Sequence, residues 1–392
     1  MSSPPNCLVC EAALAAPLYR AQPPTLDSLG RPLHSGAADV WFCDRCGHLQ
    51  TTPLTDCEGF YEHRYAYHTG SLDEDRVLVA PGGRTRYETE VRAELMLSRL
   101  VPVPGARVLD YGCGKGNTIR RAKQARPDLD VYLFDVTDRY VEFWRQFCAA
   151  PNWSIGSVPP TWNGAFDAVA SFYVLEHVSR PVESLTAIAQ LLTPGGQLYL
   201  MVPNVHQNPA DLLVADHTHH YSELSLRYLL RRAGFARVEV DTRSFPSALV
   251  AVAGDWSERT ALPAPPPGEE VTPLRAAAER TASFWRSAEE HIRTQEAAIP
   301  AGAPVAIYGA GFYGAYVYTR LTRPERVRCF VDKNPFLQGR EYYGHPVIAP
   351  EALDPAVRHV LVALNPGVAR RAIGDVAAWS VRPMTYIYLG GD

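Results

Sequence analysis

Three constellations in this sequence could do chemistry. The first is cysteine. Cys7-x-x-Cys10 and Cys43-x-x-Cys46 are two close pairs separated by 32 residues. Each pair can present two thiolates from one tight turn, and four thiolates fill a tetrahedral zinc shell. A filled shell leaves no place for a water nucleophile, so the expected Zn2+ is structural. Gly47 follows the second pair, as a knuckle turn requires, and His48 and Cys57 stand nearby as substitute ligands. The second constellation is Val108-Leu109-Asp110-Tyr111-Gly112-Cys113-Gly114-Lys115-Gly116, which reads as a strand running into a glycine turn. Glycines let backbone approach a ligand and adopt positive φ. Asp110 ends the strand, where it could hold a ligand ammonium directly or through water. Asp135 ends the next strand, where a carboxylate accepts both hydroxyls of an adenosine ribose. The third is Asp216-His217-Thr218-His219-His220-Tyr221-Ser222. Its three imidazoles could suggest a metal site, but their spacing lacks a carboxylate partner set.

These residues need elements to position them. From about residue 84 strands and helices alternate. A helix is expected over 84–100, a buried strand at Arg107–Asp110, a helix at Thr118–Ala125 and a strand at Val131–Phe134. A strand at Phe166–Ala170, a helix over 181–192 and a strand at Gln197–Val202 follow the same plan. Leu224–Ala233 reads as a helix and Val238–Val240 as the start of a last strand. Such alternation predicts a parallel sheet wrapped by helices. Residues 261–273 (ALPAPPPGEEVTP) read as a proline-rich linker, and 274–297 as one long helix. A second β/α region begins at Val305–Tyr308, turns through glycines, and continues with strands at Val327–Val331 and Val360–Ala363.

Composition bounds the rest. The 392 residues suit two domains of ordinary size plus a small module. Hydrophobic residues make up 46% and charged residues 20%, so large cores can form. A formal net charge of −4 argues against nucleic acid as a partner held by bulk positive charge. No apolar run approaches a membrane span, and the first residues lack a signal-peptide pattern, so a cytoplasmic chain with no membrane partner is expected.

Residues 108–116 resemble the first motif of the class I S-adenosylmethionine-dependent methyltransferases, (V/L)LDxGCGxG. Phe166-Asp167-Ala168-Val169 with Leu175-Glu176-His177-Val178 resembles their fourth-strand motif. Leu192-Thr193-Pro194-Gly195-Gly196 resembles the turn before their fifth strand. The resemblance implies S-adenosyl-L-methionine as cofactor, with Asp110, Gly112, Cys113, Gly114 and Gly116 at its amino-acid part and Asp135 on the ribose. It puts Ser157 near the adenine and the Ser171–Phe172 backbone at the methionine end.

The whole chain further resembles the sugar C-methyltransferases that act on nucleotide-linked keto-deoxysugars in antibiotic pathways. Tyr308-Gly309-Ala310 is similar to that family's YGA turn, and residues 331–340 to its VDxNPxxQG segment. The implied fold class is α/β: a seven-stranded Rossmann-like methyltransferase sheet, a small N-terminal zinc module and a second Rossmann-like domain at the C-terminus. The implied boundaries are 1–70, 71–255, 256–300 for linker and helix, and 301–392. The resemblance makes His217 the general base, oriented by Asp216, with Tyr221 in the catalytic set. It brings Tyr65, Tyr67, His177 and His220 toward the acceptor, a small molecule carried on a nucleotide. Removing a proton beside a ketone gives an enolate, and an imidazole can take that proton near neutral pH. The chain departs from the family pattern at Asp216, where Glu is usual, at Val214, where Tyr is usual, and in residues 241–250, which lack a Gly-Gly-Ser segment. Methylation of oxygen or nitrogen on another small molecule is the alternative. NAD on the Gly309 turn and a cofactor-free scaffold are the remaining readings.

Overall fold

The computed structural model describes residues 5–33, 36–65, 70–79, 85–258 and 262–390. The chain forms two compact units: Met1–Pro17, Val40–Gln207 and His217–Arg275 make the first, and Leu18–Asp39, Asn208–Asp216 and Ala276–Asp392 the second. The units are therefore interleaved in sequence, where four consecutive segments were expected. Hydrogen bonds explain why two early pieces join the C-terminal residues. Within the second unit Ala215 N–H donates to Leu26 O at 2.9 Å, the Trp285 indole to Pro209 O at 2.8 Å, and Arg320 to Gln22 O at 3.0 Å.

The first unit is built on seven strands: β1 (Arg107–Tyr111), β2 (Asp130–Asp135), β3 (Trp153–Ile155), β4 (Phe166–Phe172), β5 (Leu192–Pro203), β6 (Phe235–Asp241) and β7 (Ala248–Trp256). Their order is β3-β2-β1-β4-β5-β7-β6. The first five are parallel, and β7 runs antiparallel to both β5 and β6. Leu109, Val169, Leu198 and Ala251 pack one face with Leu226 and Leu230, while Val108, Val131, Ala168 and Tyr199 pack the other with Met96 and Ile119. Helices α1 (Glu88–Leu100), α2 (Asn117–Ala125), α3 (Val141–Trp144), α4 (Pro181–Gln190) and α5 (Glu223–Arg232) connect the strands.

Three boundaries differ from expectation. Helix α1 starts at 88, because Thr85–Tyr87 pairs as a strand with Val77–Val79. Strand β5 starts at 192: the register passes from Phe166↔Leu192 to Ala168↔Gln197, so the Pro194-Gly195-Gly196 turn is absorbed as a bulge. Strand β7 was not foreseen. Its continuous apolar run is buried on both faces and shows no alternation to read.

The second unit carries a six-stranded sheet: β8 (Val305–Tyr308), β9 (Val327–Val331), β10 (Glu341–Tyr342), β11 (His345–Ile348), β12 (His359–Val362) and β13 (Thr385–Tyr388), ordered β10-β11-β9-β8-β12-β13. Only β10 is antiparallel to its neighbour. Helix α6 (Gly268–Ala298) begins six residues earlier than expected and takes Pro273 inside it; α7 (Phe312–Arg320) and α8 (Pro366–Gly374) belong to the second sheet. None of the described helices is long and apolar enough to cross a membrane.

Candidate active site

The glycine turn after β1 is pulled tight by its own backbone. Gly112 and Cys113 N–H both donate to Phe134 O on β2, at 2.8 and 3.0 Å, and Gly116 N–H closes on Cys113 O at 2.8 Å. Gly112 has φ 75°, and a Cβ there would lie 2.4 Å from Val174, so the loop after β4 presses directly on the turn. A Cβ on Gly114 would meet nothing within 4 Å. Space therefore opens over Gly114.

Two carboxylates face this turn from the carboxyl ends of β1 and β2. Asp135 accepts from Gly114 N–H at 2.8 Å and from Thr137 N–H at 3.2 Å. Burial still pushes its pKa up against those two bonds. Asp110 is 2% exposed, and its Oδ1 finds no hydrogen-bond partner among the described residues. Burial, then the charge of Asp135, push its pKa up to about 8, while Arg92 on α1 pulls the other way. An unsatisfied buried carboxyl oxygen costs about 1–3 kcal/mol, so its persistence beside an open turn marks a place for a donor from outside.

Arg92 was not singled out in the sequence. Its guanidinium donates to the buried Glu88 and lies 4.4 Å over the ring of Tyr173, a residue held at φ 58° just past β4. Ser171 Oγ donates to Tyr111 O at 3.0 Å, tying β4 to β1 beside Phe172. Ser157 is exposed just beyond β3, where Gly156 N–H donates to Asp135 O at 3.0 Å. Val136 and Ile155 next to it are 42% and 37% exposed, an apolar edge beside Asp135 that a motif search passes over because single aliphatics carry no pattern.

A second group adjoins the loop after Val174. Glu176, His177 and His217 bring a carboxylate oxygen and two ring nitrogens within 4.8 Å of one another. The rings of His177 and His217 meet edge to face at 4.7 Å. Tyr61 comes from the turn at Phe60–Arg64 and Tyr65 caps it: Tyr61 Oη lies 2.6 Å from His177 Nδ1, and the Tyr65 ring is tilted 6.0 Å from the same imidazole. Tyr67 lies outside the described residues.

The residues flanking His217 are also tied into the fold. The short strand His219–His220 pairs with Leu49–Thr51, and His219 N–H donates to Glu176 O at 3.1 Å. His219 bridges Val178 O and His48 at 2.9 Å each; burial drives its pKa down to about 3 and that of His48 well below the usual range, so both rings are neutral. His220 Nε2 meets Thr51 Oγ1 at 2.7 Å. Tyr221 is fully buried and donates to Leu175 O at 3.2 Å. Asp216 accepts from the Ser28 N–H at 2.6 Å and hydroxyl at 2.9 Å, inside the second unit. Of the residues expected near the acceptor, the fold thus gathers Tyr65, His177 and His217; a ring nitrogen of His220 also lies within 4.8 Å of one of His217, and Tyr221 is buried.

The four cysteines converge as their spacing implied. Cys7 and Cys46 sulfurs are 3.7 Å apart, Cys10 and Cys43 sulfurs 3.4 Å, and all four lie within 4.8 Å. A tetrahedron with Zn–S near 2.3 Å sets sulfurs about 3.8 Å apart. Backbone knuckles close behind them, Glu11 N–H to Cys7 O at 2.8 Å and Gly47 N–H to Cys43 O at 2.9 Å. His48 and Cys57 are engaged elsewhere, the thiol of Cys57 at 3.4 Å from His177 O.

A family model described as a methyltransferase domain matches residues 85–240. A ubiquinone biosynthesis O-methyltransferase of Xanthomonas axonopodis pv. citri (strain 306) is 32% identical over 173 residues, covering 38% of this chain and 70% of that protein. One from Dechloromonas aromatica (strain RCB) is 32% identical over 124 residues, covering 30% of this chain and 53% of that protein. The chain thus spans between about half and 70% of the length of these relatives. Among solved structures, a chain of the complex between the Haloferax volcanii Trm112 methyltransferase activator and the putative methyltransferase aligns with a TM-score of 0.37 and 19% identity, over 44% of this chain and 91% of that one.

Proposed function

Because this chain belongs to the class I S-adenosylmethionine-dependent methyltransferases, we propose that the turn after β1 seats the cofactor and that the Glu176–His177–His217 group serves the acceptor. The observation that carries the first part is the unsatisfied Asp110 oxygen beside the open face of Gly114. S-adenosylmethionine, when bound, supplies an activated methyl on a sulfonium. Asp110 takes its ammonium and Arg92 its carboxylate, two opposite charges matched to an amino-acid zwitterion. Asp135 has lone pairs to spare for ribose hydroxyls, and Ser157, Val136 and Ile155 flank the base. The Cys113 and Gly116 backbones hold the turn, and the Ser171–Phe172 backbone lines the methionine end.

For the acceptor we favour carbon beside the ketone of a nucleotide-activated keto-deoxysugar. His217 would take the α-proton, and the resulting carbon nucleophile would accept the methyl group as its bond to sulfur breaks, leaving S-adenosylhomocysteine and a protonated imidazole. The support is the motif resemblance along the chain together with an imidazole pair that follows the loop of Val174, the residue pressed against Gly112. Oxygen methylation is the second reading, favoured by the names of the relatives, and would use the same base on a hydroxyl. A structural Zn2+ held by Cys7, Cys10, Cys43 and Cys46 completes the assignment.

Calorimetric titration with S-adenosylhomocysteine tests the cofactor site: micromolar binding is expected, and none would end the proposal. Product mass spectrometry and NMR from a panel of thymidine-diphosphate keto sugars separate a new carbon–methyl bond from a methoxy group. His217→Asn should abolish turnover while the titration stays unchanged. Metal analysis should find one zinc per chain, lost in Cys46→Ser.

A further inference from the structure

The segment Cys57–Tyr65 grips one residue of the candidate site at two points. Cys57 Sγ reaches the His177 carbonyl at 3.4 Å, and Tyr61 Oη reaches its ring Nδ1 at 2.6 Å. The phenol has little freedom to leave. Its ring packs edge-on against the buried Phe60 at 5.1 Å and at a tilt against Tyr65 at 5.2 Å and His177 itself at 4.9 Å. The backbone there winds as a π-helical turn over Phe60–Arg64, a rare form that re-aims side chains and recurs at functional sites.

Which proton lies in the Tyr61–His177 bond follows from the phenol. A phenol is protonated at neutral pH and donates to a ring nitrogen that holds a lone pair. Tyr61 Oη stands 2.6 Å from Nδ1, whereas Glu176 Oε1 lies 4.0 Å from Nε2, beyond hydrogen-bond distance. A neutral imidazole holds one N–H, so a ring that accepts at Nδ1 carries its proton on Nε2.

We infer that Tyr61 is a positioning residue that locks His177 as its Nε2–H tautomer, so that His177 offers the acceptor a hydrogen-bond donor while His217 is left as the base. The inference rests on the acceptor reading above and gives the two imidazoles different tasks. A donor from His177 stabilises negative charge growing on the acceptor oxygen as His217 takes the proton, the preorganised electrostatic help that fixed donors give. The groups facing the His177 ring are Tyr61 and Tyr65 from one segment, Glu176 beside it, and His217 and His219 from the strand region that follows β5.

Long-range proton–nitrogen NMR on the full-length, metal-replete chain with nitrogen-labelled histidine tests this without an acceptor; His177→Gln assigns the signals. The wild type should show His177 protonated on Nε2, with Nδ1 as an unprotonated acceptor. Tyr61→Phe keeps the ring stacking and removes the donor. The Nδ1–H form should then appear, and the His177 titration midpoint should rise by about half to one pH unit, since a bond made to the neutral ring is lost. With an accepted keto sugar, kcat should fall about tenfold at unchanged KM for S-adenosylmethionine. A wild-type His177 protonated on Nδ1 overturns the inference, and so does a Tyr61→Phe protein with unaltered tautomer and midpoint. If Tyr61→Phe does not fold, the wild-type tautomer alone decides. Full turnover in His217→Asn would instead sink the acceptor reading and leave the tautomer result standing.

Discussion

The two glycine turns of this chain are near copies that differ at one decisive place. Gly112 N–H donates to Phe134 O at 2.8 Å in the first unit, and Gly309 N–H donates to Val331 O at 2.8 Å in the second. An acid from the neighbouring strand braces each turn: Asp135 accepts from Gly114 N–H, and Asp332 from Ala310 N–H, both at 2.8 Å. Two residues before the first glycine, however, the first turn has Asp110 and the second has Ile307. Asp332 spends its other oxygen on Asn334 N–H at 2.8 Å. The bracing acid is thus a folding device common to both turns. The unsatisfied acid belongs only to the first, the turn proposed above to seat a charged amino-acid ligand.

The comparison can be broken most directly at Asp110. Asp110→Asn should weaken S-adenosylhomocysteine by about 100-fold in calorimetry, the size of a lost charge-assisted bond. At pH 7 the ligand-free variant should melt higher, because no carboxyl then has to take up a proton on burial. Ile307→Asp should leave cofactor affinity unchanged; a second binding event appearing there would dissolve the distinction.

Next in size is Gly309→Ala. Gly309 has φ 109°, and its new Cβ would stand 2.4 Å from the Ala363 backbone oxygen. A loss of about 2–3 kcal/mol in denaturant unfolding of the second unit is expected, with cofactor affinity intact.

The pH dependence sharpens the same point. Asp110 has its pKa raised to about 8 in the ligand-free fold, against about 3.9 in an unfolded chain. Its protonated form therefore contributes stability that is whole below about pH 4 and lost as pH rises through about 8. Cofactor affinity runs the other way, since the ammonium needs the carboxylate. Affinity should climb about tenfold between pH 6.5 and 8 and go flat in Asp110→Asn. A flat wild-type profile would contradict the assignment. Smallest of all, Asp332→Asn should cost about 1 kcal/mol in thermal unfolding and nothing in titration.

Much of this was legible in the residues. The CxxC pairs, the glycine turn and the two strand-end acids were readable because each is a local pattern with one structural solution. Strand β7 was not, because an apolar run buried on both faces has no period. Nor was the interleaving of the units: hydrogen bonds such as Ala215 to Leu26 join residues far apart in sequence and leave no mark on either one. Arg92 and Tyr61 were passed over for a related reason. An arginine on a helix and a tyrosine before a loop acquire meaning only from Asp110 and His177, which the fold brings to them. His220 shows the converse limit. Its type suits catalysis, and nothing in that type reveals that it also lies in a strand pairing with Leu49–Thr51.

That pairing has a consequence for how this region can change. His219 and His220 send their rings to opposite sides, one to His48 and Val178, the other to Thr51. Deleting a single residue between His217 and Tyr221 would exchange those sides and drag the imidazole ahead of them about 3.3 Å along the strand. Sequence drift in these few positions should therefore accept replacement far more readily than shortening or lengthening, with the cysteine hairpin acting as the ruler.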